Sequence, residues 1–208
     1  MIDRRTRRQR VPQGLLRDLA GLDQALYEAV TVTSTPALDS ALRRLSAAAD
    51  HSKISLLIAS ALVLRPGRSR RAAVLGVAAV GVASATANLL GKRLVRRPRP
   101  HRAEDSPFPG RHVPMPASAS FPSGHTASAV AFAAAVGPGF PAVAVPLGLL
   151  ACAVGYSRVH TGVHYPGDVV AGAVLGTGAA AAVLAAAAHW DGSVGGRAVR
   201  LSCGSSAG

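Results

Sequence analysis

The stretch Phe121-Pro122-Ser123-Gly124-His125-Thr126 opens directly into the apolar run Ala127 to Val136. A polar, Gly-containing turn at the head of an apolar helix leaves the first backbone N–H groups of that helix without intrahelical partners. Such groups suit a phosphate or another oxyanion. A histidine sits in the turn itself. Upstream lies a cluster of Lys and Arg, and downstream Arg158, His164 and Asp168 follow within a dozen residues. Basic groups, histidines and one carboxylate are thus gathered at the ends of apolar segments.

The chain has 208 residues, a length that fits one domain. Hydrophobic residues make up 49% and aromatics only 4%, and the apolar content lies in long Ala/Val/Leu/Gly runs, which points to a membrane. The net charge of +13 raises nucleic acid as a partner. The arginines, however, stand beside apolar runs with no interleaved aromatic residues, so anionic lipid headgroups are the expected partner and nucleic acid is not. Cys152 and Cys203 have neither disulfide-like nor zinc-like spacing. Residues 1–20 lack an apolar core of signal-peptide length, so insertion is expected through internal spans.

Three regions are predicted. Residues 1–50 comprise an Arg-rich tail and two amphipathic pieces. In the first, Leu15, Leu19, Leu22, Leu26 and Val30 recur at helical spacing among Arg17, Asp18, Asp23 and Glu28; after Pro36, Leu38, Leu42 and Leu45 recur beside Arg43 and Arg44. So many charges predict interfacial helices and not spans. Residues 51–190 form the membrane domain, with apolar runs at 54–64, 72–90, 126–136, 140–156 and 169–188. Residues 191–208 read as a flexible tail. The fold class is an all-α, multi-pass transmembrane bundle of five spans, or six if 15–30 also crosses. With five, the polar loops 92–125 and 157–168 emerge on the same face.

That face carries Lys92, Arg99, His125, Arg158, His164 and Asp168 at span ends. Three cations around a helix N-terminus can hold a tetrahedral oxyanion and the extra charge of its transition state. Two histidines permit a double displacement, in which one attacks phosphorus and the other protonates the leaving oxygen and later activates water. Asp168, four residues after His164, can accept from the distal ring nitrogen and fix its tautomer.

These residues fall into three ordered motifs. The first is Lys, six residues, Arg-Pro, at Lys92 and Arg99-Pro100. The second is Pro-Ser-Gly-His at Pro122 to His125. The third is Ser-Arg, five residues, His, three residues, Asp, at Ser157-Arg158, His164 and Asp168. By these motifs the chain resembles the type 2 phosphatidic acid phosphatase superfamily, which shares its pocket with vanadium haloperoxidases. The resemblance implies that His164 is the nucleophile, forming a phosphohistidine supported by Asp168, and that His125 is the general acid and then base. It implies that Lys92, Arg99 and Arg158, with Ser123 and the Gly124 amide, hold the phosphate, and that no metal or other cofactor takes part. Clustered carboxylates for magnesium are absent from the sequence.

The implied substrate is a membrane lipid phosphate, with a polyprenyl phosphate or diphosphate favoured by the Ala/Arg/Val/Gly-rich usage. Two other readings are a vanadium-dependent haloperoxidase and a catalytically idle lipid-binding scaffold. His160 is read as a loop or pocket-wall histidine, and His101 and His112 as solvated. Arg93, Arg96, Arg97, Arg102 and Arg111 exceed the needs of one phosphate and are read as attracting anionic lipid, in preference to extending the site toward a second phosphate or a sugar. Cys152 and Arg158 mimic the Cys, five residues, Arg pattern of cysteine phosphatases, but the intervening residues continue an apolar span, where a thiol is protonated and inert. A cytoplasmic turn at Arg65 to Arg71 places the site outside the plasma membrane. With five spans it places the Arg-rich tail outside too, so either 15–30 crosses as a sixth span or the site faces the cytoplasm; the family resemblance favours the outside.

Overall fold

A computed structural model describes residues 13–102 and 108–204. The Arg-rich tail at 1–10 lies outside them. Among the described residues the chain is helical, with no strand.

The helices are α1 (Gln13–Val32), α2 (Pro36–Ala48), α3 (Lys53–Val63), α4 (Arg68–Ala85), the single turn α5 (Lys92–Leu94), α6 (Gly124–Val136), α7 (Ala144–His160) and α8 (Pro166–Gly204). A π-helical segment, Thr86–Gly91, joins α4 to α5. Three continuous segments are long and apolar enough to cross a membrane: Arg68–Leu94, Pro141–His160 and Pro166–Asp191. The other two expected spans are shorter. At 1.5 Å per residue, α6 is about 20 Å long and α3 about 16 Å, against a hydrocarbon core of about 30 Å. The reason is local, since α6 cannot start before the polar turn ending at Ser123, and α3 cannot start before the turn Asp50–Ser52. Where a tail was expected from 191, α8 continues to Gly204.

The short helix α6 is the centre of the bundle, with α4, α7 and α8 packed around it. Ala127, Ala131 and Ala135 on α6 bury against Ala79 and Ala83 of α4 and Ala179 and Ala180 of α8. A second cluster joins Phe132 and Val136 to Ala59 and Leu62 of α3, Ala72, Ala73 and Val80 of α4, and Leu147 of α7. Alanine dominates because close backbone approach, and not exclusion from water, holds helices together in lipid. The approach is closest at Gly172 and Gly176 on α8; at Gly172 an added Cβ would lie 2.5 Å from the Ser123 carbonyl oxygen. The outward face is apolar as well: Val145 and Leu149 on α7 and Val170 and Val174 on α8 are each more than 60% exposed. A surface of that kind belongs in lipid.

Helices α1 and α2 lie over one end of this bundle. Their inner faces carry Asp23, Tyr27, Asp39 and Ser46, all bonded to or stacked on the loops and helix ends there. The outer edge of α1 presents Leu15, Leu19, Leu22 and Leu26. The loop after α5 clamps the pair. Arg111, 1% exposed, donates from Nη1 to the carbonyl of Thr31 at 3.1 Å and from Nη2 to that of Thr33 at 3.0 Å, satisfying carbonyls at the C-terminal end of α1. It also pairs with Asp39 at 3.0 Å.

Candidate active site

The capped end of the bundle holds a cavity of about 450 Å³ lined by Lys92, Arg99, Gly124, His125, Arg158 and His164, with Asp50, Asn88 and Ser118 among its other walls. The loops at 92–125 and 157–168 therefore do share one face, and six of the eight expected site residues meet there. The remaining two, Ser123 and Asp168, are fully buried behind the wall.

Each side chain is fixed by its element. Lys92 follows the π-helical segment, and its Nζ donates to Asn88 Oδ1 at 2.8 Å and Ser118 Oγ at 3.2 Å. Arg99 donates to the carbonyls of Ser118 at 2.8 Å and Val163 at 2.7 Å. Arg158, in the last turn of α7 and 2% exposed, donates from Nη1 to Ser46 Oγ at 2.6 Å, and its Nε has no hydrogen-bond partner. None of these three cations has a carboxylate oxygen closer than the 3.9 Å separating Arg158 from Asp50, among the described residues. Positive charge is thus concentrated at the cavity and little of it is neutralised.

His164 contacts Arg99 Nη1 through Nε2 at 3.2 Å and faces Asp168 Oδ2 through Nδ1 at 3.5 Å. A guanidinium can only donate, so Nε2 is the accepting nitrogen and the ring hydrogen lies on Nδ1, toward the carboxylate. Burial holds the His164 imidazole down to about 4, with the bond to Asp168 opposing and Arg99 and Arg158 reinforcing the shift. The ring is therefore neutral at pH 7, with its lone pair at the cavity. Asp168 is held in turn by the Ser120 hydroxyl, the Tyr165 N–H at 2.9 Å and Arg97 Nη1 at 3.1 Å. Arg97 extends the chain outward to Asp23 at 2.6 Å, and its guanidinium stacks on the Tyr165 ring at 4.0 Å.

The turn from Phe121 to Thr126 is anchored to this same network. The Ser123 N–H donates to the Asp168 carbonyl at 2.9 Å, while its hydroxyl caps α6 by accepting from the Thr126 N–H at 3.4 Å. Ser123 is thus used for capping, and Gly124 is the turn residue that reaches the cavity. His125 Nε2 lies 2.7 Å from Asp50 Oδ1.

Several sequence expectations change. Arg97, Arg102 and Arg111 are not free for lipid. Arg102 donates to the carbonyls of Val113 and Thr161 at 2.8 Å each, and the other two are engaged as described. Only Arg93 and Arg96 of that set stay exposed. His160 is buried and bonds Thr35 Oγ1 at 2.9 Å, away from the cavity. Cys152 is exposed on the outer face of α7 while Arg158 is buried, so the two share no phosphate loop. Among the described residues no group of three or more His, Cys, Asp or Glu side chains is placed to hold a metal ion. Asp50, Ser46, Ser120 and Asp23 join the site without any signal in the sequence, because no fixed spacing ties them to the motifs.

A helical bundle with a lipid-facing surface that gathers three cations and two histidines at one cavity fits a class, the phosphoryl-transfer enzymes of the lipid phase. Residues 71–190 match the model of the PAP2 superfamily. The chain is 34% identical over 172 residues to decaprenylphosphoryl-5-phosphoribose phosphatase of Mycobacterium tuberculosis strain H37Rv, covering 81% of this chain and 88% of that protein. It is 44% identical over 98 residues to lipid A 1-phosphatase of Rhizobium etli, covering 43% of this chain and 39% of that one. The crystal structure of Aquifex aeolicus LpxE superposes with a TM-score of 0.64 at 25% identity, over 78% of this chain and 94% of that chain. A Bacillus subtilis transmembrane PAP2 type phosphatidylglycerolphosphate phosphatase shares the fold, with a TM-score of 0.63 at 23% identity over 81% and 85% of the two chains. The chain belongs to the PAP2 superfamily and is a membrane phosphatase, a phosphoric ester hydrolase.

Proposed function

We propose that the protein hydrolyses a phosphomonoester or diphosphate of a membrane lipid through a phosphohistidine on His164. The observation that carries this reading is the His164 Nε2 lone pair, directed by Asp168 behind it and facing a cavity walled by Lys92, Arg99 and Arg158. Those cations, the free Arg158 Nε and the Gly124 end of α6 bind the three phosphoryl oxygens. Attack forms the N–P bond as the P–O bond to the lipid breaks, and His125 gives its proton to the leaving oxygen. Water then attacks phosphorus, His125 takes the water proton, and phosphate leaves.

The substrate class that best fits is a polyprenyl-linked phosphate, on the similarity to the mycobacterial phosphatase over most of both chains. Phosphate release measured over decaprenyl-linked phosphoribose phosphate, undecaprenyl diphosphate, phosphatidic acid and lipid A tests it, and preference for either of the last two refutes it. For the chemistry, labelled phosphoenzyme should be trapped on the wild type, slowed in its formation or breakdown by His125→Ala, and absent from His164→Ala. A phosphoenzyme in the last variant reverses the two roles.

In the plasma membrane, α3, α4, α6, α7 and α8 form five passes, with the two short helices reaching the interface through Lys53, Arg65 and the site loop. Helix α1 lies in the interface with its leucine edge in lipid, since Asp23, Tyr27 and the 31–33 carbonyls all contact the site end of the bundle. The turn at Arg65 to Arg71 faces the cytoplasm and the site faces outward. Arg93 and Arg96 meet anionic headgroups there. Single cysteines at positions 8 and 69 should label from opposite sides; labelling from one side means that 15–30 crosses.

A further inference from the structure

Between α2 and α3, His51 and Ser52 both adopt left-handed backbone conformations, with φ of 54° and 57°. Two successive non-glycine residues in that region are costly and cluster at functional sites. The turn they make sets Asp50 in the cavity wall, where its carboxylate lies 2.7 Å from His125 Nε2 and 3.9 Å from Arg158 Nη1. Asp50 is the only carboxylate among the described residues lining that cavity.

The charge balance gives this contact meaning. His125 shares its cavity with Lys92, Arg99 and Arg158 and with the ring of His164. Each cation disfavours a second proton on the His125 ring, yet a general acid must begin the cycle protonated. Burial, reinforced by Arg158 and the His164 ring, pulls His125 down to about 4, and Asp50 is the one group opposing that shift. Its carboxylate on Nε2 favours the proton there and fixes the ring plane, and the charge of a bound phosphoryl group adds to it. We infer that Asp50 is the positioning residue of the leaving-group acid, holding a proton on His125 Nε2 until the substrate's leaving oxygen takes it. This rests on the acid role of His125 proposed above. In the first half-reaction the P–O bond breaks, the Nε2 proton moves to the leaving oxygen, and imidazolium becomes imidazole. In the second, the water proton returns to Nε2. Asp50 remains ionised throughout.

An acid matters for an alkoxide leaving group and hardly at all for nitrophenolate. The test is therefore a rate ratio, dodecyl phosphate over p-nitrophenyl phosphate, measured on the full-length enzyme in detergent. The ratio does not depend on how much enzyme is correctly folded. Asp50→Asn and Asp50→Ser should each lose roughly 30-fold or more on dodecyl phosphate and less than about threefold on p-nitrophenyl phosphate, against the range of roughly 100-fold and upward for removing an acid outright. Asp50→Glu should restore most of the ratio. His125→Ala, run alongside, should show the largest fall in ratio. If His125→Ala lowers the ratio and neither neutral Asp50 variant does, the role of Asp50 is overturned and the acid stands. If His125→Ala leaves the ratio unchanged, the acid assignment fails and the inference with it.

Discussion

At Gly172 a Cβ built on the backbone lies 2.5 Å from the Ser123 carbonyl oxygen, 3.2 Å from Thr126 Cβ and 3.4 Å from the Ala127 nitrogen. The nearest atom is backbone, so no rotamer change relieves the clash. Reaching an ordinary contact near 3.4 Å requires α8 and the head of α6 to part by roughly 0.9 Å, an overpacking that costs about 1–3 kcal/mol. The displacement falls where the Ser123 N–H meets the Asp168 carbonyl at 2.9 Å, so the carboxylate behind His164 moves with it. A 1 Å error in placing catalytic groups costs about 100-fold in rate. Gly178, further along the same helix, has nothing within 4 Å of the position a methyl group would take and serves as the control. Gly172→Ala should therefore lower the thermal midpoint in detergent and reduce phosphate release by about 100-fold. Gly178→Ala should leave activity within about twofold, with a small gain in stability from the better helix former. Equal behaviour of the two variants would refute the claim that the α6–α8 approach sets the site.

Three further outcomes are expected. His164 is held down to about 4 mainly by burial, whereas in the unfolded chain it has its ordinary value of 6.5. Its contribution to stability is thus fully present above pH 6.5 and is lost as pH falls toward 4, so wild type should lose about 2 kcal/mol more than His164→Gln between pH 7 and pH 5. A pH-independent gap in unfolding free energy between the two proteins would contradict this. Arg97→Lys cannot both bridge Asp23 and Asp168 and stack on Tyr165, and it should lower kcat about tenfold with the helical circular dichroism unchanged. Full activity in that variant would show that Asp168 needs no outer support. Cys152→Ser, on the outer face of α7, should retain wild-type activity; a loss would reinstate cysteine chemistry.

The parts of the site legible in the sequence are those whose chemistry is carried by short-range spacing. His164 and Asp168 are four residues apart across the turn into α8, and Pro122 to His125 are consecutive, so their proximity follows from local sequence. Asp50 meets His125 across 75 residues and Ser46 meets Arg158 across 112, and no pattern in one chain encodes such a distance. Arg97, Arg102 and Arg111 mislead for a related reason. An arginine beside a membrane segment looks like a headgroup ligand, and only the folded loop shows backbone carbonyls and carboxylates taking its donors. Apolar runs mark α6 as clearly as the longer helices, but its thirteen residues owe their composition to burial among α4, α7 and α8 as well, so hydropathy alone does not fix the number of passes.

The hairpin of α1 and α2 has a consequence for how the protein is made. Asp23 bonds the Gly167 N–H across 144 residues, and Ser46 waits for Arg158. At about 5–20 residues per second, roughly 7–30 seconds of synthesis separate Asp23 from its partner. During that interval Asp23 and Ser46 are without these two partners. Arg158 and His164 are the last cavity walls in chain order, so the cavity is complete only once the segment from the end of α7 to the start of α8 is in place.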